Sequence, residues 1–262
     1  MPIVAVNNRT VHYEDAGGAG TPVLALHGAF GRGATFSAVA ERLRPEYRVV
    51  APDLRGHGLS DRGGDFGREA YVDDVAQFII AMGLEPAFVI GHSLGGVTAY
   101  QLAARHPQLA RALVVEDVGA VTDRPVVAEP VLDVSGWPRS FPDRGAAEAF
   151  FSATPEPDYF LESVVQRPDK RWELLFDPRD MMQVQRGNVG VWWDDWLAAQ
   201  HAVLLLRATN SFLLPSEHAK EMVARRPGAE LVTFEETGHW IHRRDPDGYA
   251  AAVRAFFATS VG

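Results

Sequence analysis

The sequence has no cysteine among its 262 residues, so disulfides, thiolate metal sites and cysteine nucleophiles are excluded. It has no apolar run near the roughly 18 residues of a membrane-spanning helix, and residues 1–9 lack the charged and apolar segments of a signal peptide. Basic residues are outnumbered by acidic ones, 25 to 34, and the net charge of −9 argues against a nucleic-acid-binding surface. We therefore expect a cytoplasmic protein without metal or cofactor, whose partner is a small molecule and neither a nucleic acid nor a membrane.

Apolar residues make up 47% of the chain, enough for one large core and an insertion. After a predicted hairpin (residues 3–6 and 10–14), apolar runs that are typical of buried strands alternate with segments of helical spacing. The strand-like runs are 22–26, 47–51, 88–90, 112–115, 202–207 and 229–234, and the helix-like segments are 34–43, 69–82, 94–103, 216–225 and one that begins at Asp245-Pro246. This alternation predicts βαβ units and a parallel sheet, which is the α/β fold class.

A strand-like run ends in the motif Gly91-His92-Ser93-Leu94-Gly95, and a helix-forming segment follows at once. This pattern predicts the strand, sharp turn and helix of a nucleophile elbow, with the Ser93 hydroxyl exposed above the sheet. Gly91 and Gly95 supply the small residues that such a turn needs on either side. The Leu94 N–H would lie at a helix N-terminus, where amide hydrogens stabilise negative charge. The motif alone is weakly specific, because glycine beside serine is common in ordinary turns.

The segment from 122 to 200 has a different composition, with frequent prolines and five of the six tryptophans. We expect short helices without strands, inserted over the ends of the sheet between core segments 1–121 and 201–262. Most of the aromatic rings are expected to form the core of this insertion, and some of them to line an apolar pocket.

Four motifs occur in the order and separation found in the α/β-hydrolase superfamily, and the chain resembles that superfamily over nearly its whole length. They are His27-Gly28, Asp53-Leu54-Arg55-Gly56-His57-Gly58-Leu59-Ser60, Gly91-His92-Ser93-Leu94-Gly95-Gly96 and Gly238-His239. The resemblance implies an eight-stranded, mostly parallel sheet with a helical cap at residues 122–200. It also implies that Ser93 is the nucleophile, that His239 is the general base, and that the backbone N–H groups of Ala29 and Leu94 form an oxyanion hole. For a substrate pocket, the candidate side chains are Phe30, His92, Trp137, Trp192, Trp193 and Trp240.

His242 is the rival candidate for the base. We favour His239, because it directly follows the glycine after the last strand. For His27 we prefer the role of a hydrogen-bonded structural histidine to a catalytic role. His92, beside the serine, is expected to point away from it.

The acid of the triad is harder to assign from the sequence. Most of the family has a carboxylate after the seventh strand, but here Ser211-Phe212 stands where a Ser-Asp pair is usual. Some members place the acid after the sixth strand, which in this chain ends in Glu116-Asp117. The two side chains point to opposite sides of a continuing strand, so only one could serve. We favour Asp117, which occupies the matching family position, while Glu116 and a purely structural role for both residues stay open.

The resemblance favours a serine hydrolase that cleaves a small, rather apolar ester or lactone. One alternative is a cofactor-free oxygenase or a lyase that uses the His–Asp pair as a base. Another is a ligand-binding protein whose triad has decayed. Epoxide hydrolases and haloalkane dehalogenases are disfavoured, because those families have aspartate at the position of Ser93. The oligomeric state is left open between a monomer and a homodimer.

Overall fold

The computed structural model describes residues 2–260. The part of the chain before the insertion forms strands and helices in alternation. Its strands are β1 (Ile3–Val6), β2 (Arg9–Asp15), β3 (Thr21–Leu26), β4 (Tyr47–Pro52), β5 (Ala87–His92) and β6 (Ala110–Glu116), and its helices are α1 (Ser37–Leu43), α2 (Arg68–Met82) and α3 (Leu94–Arg105). Helix α2 ends, as expected, at Gly83, whose left-handed φ of 60° allows its N–H to bond the last turn.

The insertion contains strands as well as helices. The strands are β7 (Ser140–Phe141), β8 (Val164–Gln166) and β9 (Trp172–Leu174), and the helices are α4 (Arg144–Phe151), α5 (Pro157–Leu161), α6 (Pro178–Gly187) and α7 (Trp193–Ala198). The expectation of helices alone was therefore wrong, because the three strands pair into a small antiparallel sheet in the order β7-β9-β8. Strands of two or three residues are too short to show the alternating pattern by which a strand is recognised in a sequence.

The chain then returns to the main sheet. The remaining elements are β10 (Val203–Ala208), α8 (Ser216–Arg225), β11 (Ala229–Phe234), α9 (Ile241–Arg244) and α10 (Pro246–Thr259). Asp245 caps α10 by accepting a hydrogen bond from the Gly248 N–H at 2.9 Å, and Pro246 occupies the first helical position.

The main sheet has eight strands in the order β1-β2-β4-β3-β5-β6-β10-β11. Strand β2 pairs antiparallel with both β1 and β4. The six strands β4, β3, β5, β6, β10 and β11 are parallel to one another. In the register, His92 of β5 lies beside Glu116 of β6, which lies beside Leu206 of β10. The residues that follow these three strands therefore meet at one edge of the sheet, where ligands bind in open α/β sheets.

Apolar side chains cover both faces of the sheet. On one face, residues of α1 and α10 form a cluster with the strands, in which Phe88 stacks on Phe257 with ring centroids 4.0 Å apart. On the other face, residues of α2 and α3 form a second cluster that continues into the insertion. No helix within residues 2–260 is both long and apolar enough to cross a membrane.

Candidate active site

Ser93 lies at the turn between β5 and α3 in a strained backbone conformation, with φ 52° and ψ −115°. A non-glycine residue in such a region costs of the order of 1–3 kcal/mol and is held there by its surroundings. The Ser93 N–H donates to the Glu116 carbonyl at 3.1 Å, and the Ser93 carbonyl accepts from Val97 N–H in α3. A side chain at Gly91 would collide with the Gly95 carbonyl, so the elbow requires the glycine that the motif provides.

Asp117 follows β6 directly and pairs with His239. Its Oδ2 lies 2.8 Å from His239 Nδ1 and accepts the Ser211 hydroxyl at 2.7 Å, while Oδ1 accepts the Ala208 N–H at 3.0 Å. Asp117 is fully buried and His239 is 4% exposed, so water does not compete for these bonds. Because the carboxylate binds Nδ1–H, the other ring nitrogen of His239, Nε2, is left with its lone pair free.

Glu116 and Asp117 point in different directions, as expected, and each pairs with a different histidine. The chain turns at Asp117, whose φ is 49°, and the Glu116 carboxylate contacts His242 Nδ1 at 2.8 and 2.9 Å. The favoured acid is thus paired with the favoured base, and the two rivals are paired with each other. Which carboxylate meets which imidazole depends on the register of β6, β10 and β11, and this register does not follow from the local sequence.

Ser211 contributes to the acid's surroundings from the loop after β10. Its hydroxyl donates to Asp117 and accepts the N–H groups of Leu213 and Leu214 at 3.1 and 2.9 Å. In the sequence, Ser211 was noted only because the residue after it is not the aspartate that is usual in the family. In the structure, the loop supplies a hydrogen-bond donor to the acid of the neighbouring strand.

His92 lies beside Ser93 in the sequence, but its ring bonds to the backbone of His239. His92 Nε2 lies 3.0 Å from the His239 carbonyl, and a carbonyl can only accept, so Nε2 carries the proton. Burial, followed by the neighbouring His239 and His242 rings, moves the pKa of His92 well below its usual range. His92 is therefore neutral and positions the backbone of the residue that pairs with Asp117.

The loop after β3 (residues 27–31, hereafter the β3 loop) presents the Ala29 amide. The Gly28 carbonyl accepts from His27 Nδ1 at 2.7 Å and from the Gly31 N–H at 3.2 Å. Because a trans peptide is planar, fixing the Gly28 carbonyl also fixes the Ala29 N–H that points the opposite way. His27 Nε2 accepts the Leu54 N–H at 2.9 Å, and burial lowers the pKa of His27 to about 4, so this ring is a neutral structural group.

Two hydroxyls from the insertion bond to the same loop. The Tyr159 hydroxyl donates to the Ala29 carbonyl at 3.0 Å, and the Ser163 hydroxyl donates to the Phe30 carbonyl at 2.7 Å. Phe30 has a φ of 69°, which a side chain of this size rarely adopts. Sequence reasoning missed both hydroxyls, because each lies 130 or more positions away from its partner.

A cavity of about 590 Å³ opens at this edge of the sheet, between the strand ends and the insertion. Ser93, His239, Ala29 and Leu94 all line it, and within residues 2–260 neither the Ala29 nor the Leu94 N–H has a hydrogen-bond acceptor. Among the candidates for the pocket, Phe30, His92 and Trp240 lie in its wall. The other lining side chains are mostly apolar and include Val118, Leu132, Phe160, Met182, Val184 and Leu213.

Three of the tryptophans proposed for the pocket do not line this cavity in the described part of the chain. Trp137 packs edge-on against Phe150, Phe151 and Phe160 inside the insertion, with centroids 5.3–5.5 Å away. The Trp192 Nε1–H donates to the Thr122 hydroxyl at 2.7 Å, across the base of the insertion. The Arg225 guanidinium lies 3.8 Å from the ring centroid of Trp193. These rings pack the insertion and attach it to the core, so assigning them to the pocket was wrong.

Within residues 2–260, one group of three side chains has the spacing of metal ligands. The ligand-type atoms of His92, Glu116 and His242 lie within 4.8 Å of one another. Tetrahedral ligands at about 2.0–2.2 Å from a zinc ion stand more than about 3 Å apart. The 2.8 Å contact between Glu116 and His242 is instead the length of a hydrogen bond. Glu116 and His242 therefore form a hydrogen-bonded pair, and the His92 ring lies beside them.

Comparison with known proteins identifies the family. The sequence model of the alpha/beta hydrolase family matches residues 23–252. The chain is 28% identical to the sn-1-specific diacylglycerol lipase of Mus musculus, over 90% of this chain and 80% of the lipase. It is 27% identical to the 2-hydroxymuconate semialdehyde hydrolase of a Pseudomonas species, over 98% of this chain and 93% of that enzyme. The solved structure of E-2-(acetamidomethylene)succinate hydrolase matches with a TM-score of 0.87 at 23% identity and covers 98% of both chains.

These relatives are hydrolases, and the predicted fold, a mostly parallel eight-stranded sheet flanked by helices, is confirmed. The family match extends over most of the sequence and includes all the strand ends that border the cavity. This chain therefore belongs to the alpha/beta hydrolase family.

Proposed function

We propose that the protein is a serine hydrolase that cleaves a small, rather apolar carboxylic ester or lactone through an acyl-enzyme. The observation that carries the proposal is the convergence on one cavity of Ser93 and the Asp117–His239 pair. In this mechanism the Ser93 Oγ attacks the substrate carbonyl carbon while His239 Nε2 takes the hydroxyl proton. Asp117 keeps the other ring proton on Nδ1 and stabilises the imidazolium that forms.

Negative charge on the carbonyl oxygen of the tetrahedral intermediate needs hydrogen-bond donors. We assign this role to the Ala29 and Leu94 amides, the second of which is at the N-terminus of α3. Collapse of the intermediate breaks the ester C–O bond, and His239 gives its proton to the leaving alcohol. A water molecule, deprotonated by the same nitrogen, then attacks the acyl-enzyme and regenerates Ser93.

The cavity supports an apolar acyl or alcohol group. Its volume of about 590 Å³ lies within the range of small-molecule sites, and most of its wall is hydrocarbon. The side chain of Gln185, which also lines it, is already bonded to both the N–H and the carbonyl of Leu132 at 2.9 Å. The Gln185 amide therefore links two parts of the insertion and is not assigned to substrate recognition.

Hydrolysis of p-nitrophenyl esters of increasing acyl length tests the proposal. We expect the wild type to give a burst of nitrophenol and an optimum chain length. Ser93→Ala should lack the burst, and the matched control Ser37→Ala, at an exposed serine of α1, should keep it. Absence of turnover on every ester by the wild type would contradict the proposal and favour a non-hydrolytic enzyme or a binding protein.

A second candidate is hydrolysis of a substrate that carries a carboxylate. Arg186 lines the cavity, and within residues 2–260 its side chain makes no ion pair or hydrogen bond. Two of the relatives named above act, by their names, on a muconate semialdehyde and on a succinate. Paired neutral and acid-terminated esters of equal length would decide between the two. For the second candidate, Arg186→Gln should raise KM for the acidic ester alone.

A further inference from the structure

The mechanism leaves one buried ionisable pair without a role, Glu116 and His242. Both side chains are at most 1% exposed, and the two Glu116 oxygens lie 2.8 and 2.9 Å from His242 Nδ1. One of these oxygens also accepts the His242 backbone N–H at 3.1 Å. A buried pair of this kind is weak evidence for stability, because removing two polar groups from water offsets most of their attraction. A role in positioning is therefore the alternative to consider.

Glu116 connects the two segments that carry the reacting groups. Its backbone carbonyl accepts the Ser93 N–H at 3.1 Å, and its side chain holds residue 242, three positions beyond His239. Asp117, the next residue, holds the ring of His239 itself. Two adjacent residues at the end of β6 thus fix the elbow, the base and the turn that follows the base.

The other neighbours of His242 are aromatic rings, among them Tyr249, whose ring centroid lies 6.2 Å away. The ring stacks on Phe36 with centroids 4.6 Å apart at 26°, and within the described residues its Nε2 has no hydrogen-bond partner. The His92 ring lies 4.9 Å from His242 and 4.4 Å from His239, and it bonds the His239 carbonyl. The backbone at residues 239 and 242 is therefore held by the side chains of His92 and Glu116.

We propose that the Glu116–His242 pair positions His239, so that its Nε2 is aligned between Ser93 and the leaving group. This inference rests on the proposed function. In it, Glu116 and His242 are positioning residues, because they act through the backbone of residues 239–242 and touch neither the cavity nor the substrate. A displacement of about 1 Å at a reacting group is enough to lower a rate by about 100-fold.

Ester kinetics of variants at the pair test the proposal. We expect Glu116→Ala and His242→Leu to lower kcat by about 10- to 100-fold with KM within about twofold. Glu116→Gln and His242→Asn keep an acceptor or a donor at the same place, and we expect them to restore most of the rate. Because the pair acts as a unit, the double variant should be no slower than the slower single variant.

The matched control is His12→Gln. His12 and Asp53 form another buried imidazole–carboxylate pair, with a distance of 2.9 Å and 1% and 0% exposure, on β2 and after β4. We expect His12→Gln to lower the melting temperature and leave kcat unchanged. Equal losses of kcat in His12→Gln and in Glu116→Ala or His242→Leu, or a rise in KM with kcat unchanged in the pair variants, would overturn the proposal.

A measurement that needs no turnover separates this inference from the proposed function. The proton on His239 Nδ1, in its bond to Asp117, gives an NMR resonance that Asp117→Asn identifies by its loss. We expect Glu116→Gln to shift this resonance and Glu116→Ala or His242→Leu to broaden it, with His12→Gln unchanged. An unperturbed resonance in all pair variants would overturn the inference even if the wild type cleaves esters. A perturbed resonance in an enzyme inactive on esters would support the inference and contradict only the esterase.

Discussion

Asp117 is the residue on which the proposed proton transfer depends most directly. Its carboxylate receives hydrogen bonds from the His239 ring, the Ser211 hydroxyl and the Ala208 N–H. Asp117→Asn would present an NH₂ donor to His239 and favour the wrong tautomer of the ring. By analogy with triad acids, we expect kcat for p-nitrophenyl esters to fall by about 10³- to 10⁴-fold. Circular dichroism should show an unchanged fold, and activity above a tenth of wild type would contradict the assignment.

Position 212 offers a way to move the acid to the neighbouring strand. Phe212 is 48% exposed, and its ring centroid lies 4.9 Å from that of His239. Adjacent strands are about 4.8 Å apart, so a carboxylate after β10 is within reach of the same imidazole. In the Asp117→Asn background, we expect Phe212→Asp to raise kcat at least tenfold. Phe212→Asn in the same background is the control, and equal rates for the two would show that charge at this position does not reach the base.

The residue scale also shows what the sequence can predict. Ser93 and His239 follow from short motifs, because the elbow and the turn after the last strand are local structures. The period of two in a strand predicted that Glu116 and Asp117 point to different sides, and they do, although β6 ends at Glu116 and the chain turns at Asp117. The partners of Glu116 and Ser211 do not, since they depend on how three strands align. Only the assembled sheet brings Ser211 to Asp117 and His242 to Glu116.

At the scale of elements, two hydrogen bonds join the insertion to the β3 loop. The Tyr159 and Ser163 hydroxyls bond the carbonyls of Ala29 and Phe30. Removing one such bond costs about 0.5–1.5 kcal/mol, which is up to about tenfold in rate if it is lost in the transition state. We expect Tyr159→Phe and Ser163→Ala each to lower kcat three- to tenfold.

Binding of a trifluoromethyl ketone checks this expectation, because its adduct would place an oxyanion beside the Ala29 amide if the proposed oxyanion hole is correct. Its affinity should fall in parallel with kcat, while KM for the ester stays nearly constant. Ser152→Ala, at an exposed serine of the same insertion, is the matched control and should change neither quantity. Loss of ester affinity with unchanged inhibitor affinity would show that the hydroxyls shape the pocket and not the loop.

The insertion is also the element that the sequence described least well. Its tryptophans were sorted between core and pocket by composition alone, and all three of those assigned to the pocket lie elsewhere. Aromatic residues have no period that separates the two sides of a short helix from each other, and β7 of the small sheet pairs with β9, more than 30 positions away. In the main sheet, by contrast, most of the parallel strands contain a continuous apolar run, and their positions were predicted to within two or three residues.

For the whole molecule, buried histidines make stability depend on pH. Burial lowers the pKa of His27 to about 4 and that of His57 to about 3, and it also lowers the pKa of His92 well below its usual range. These rings are neutral when folded, whereas unfolded histidines bind a proton below about pH 6.5. The unfolded chain therefore takes up more protons as the pH falls from 6.5 toward 4, and stability is lost over that range.

Urea unfolding at pH 7 and pH 5 measures this effect. We expect His27 and His57 each to contribute about 2 kcal/mol of lost free energy of unfolding between these values, and His92 to add a loss of the same sign. His57→Gln should reduce the pH dependence by about one proton. The control His106→Gln, at a partly exposed histidine after α3, should leave it unchanged. A free energy of unfolding that is constant from pH 7 to 5 would contradict the neutral state of the rings.

The position of the acid has a consequence for how the specificity of this protein can diverge. In the proposed triad the carboxylate follows β6, so the loop after β10 contributes only the Ser211 hydroxyl to that acid and need not supply a charge. Phe212, the residue that stands where the family usually has that charge, lines the cavity and is half exposed. Substitution at this one site changes the shape of the cavity wall while the proposed proton-transfer groups keep their partners. Natural variation and laboratory selection for new substrates should therefore accumulate at position 212 before they reach the rest of the cavity wall.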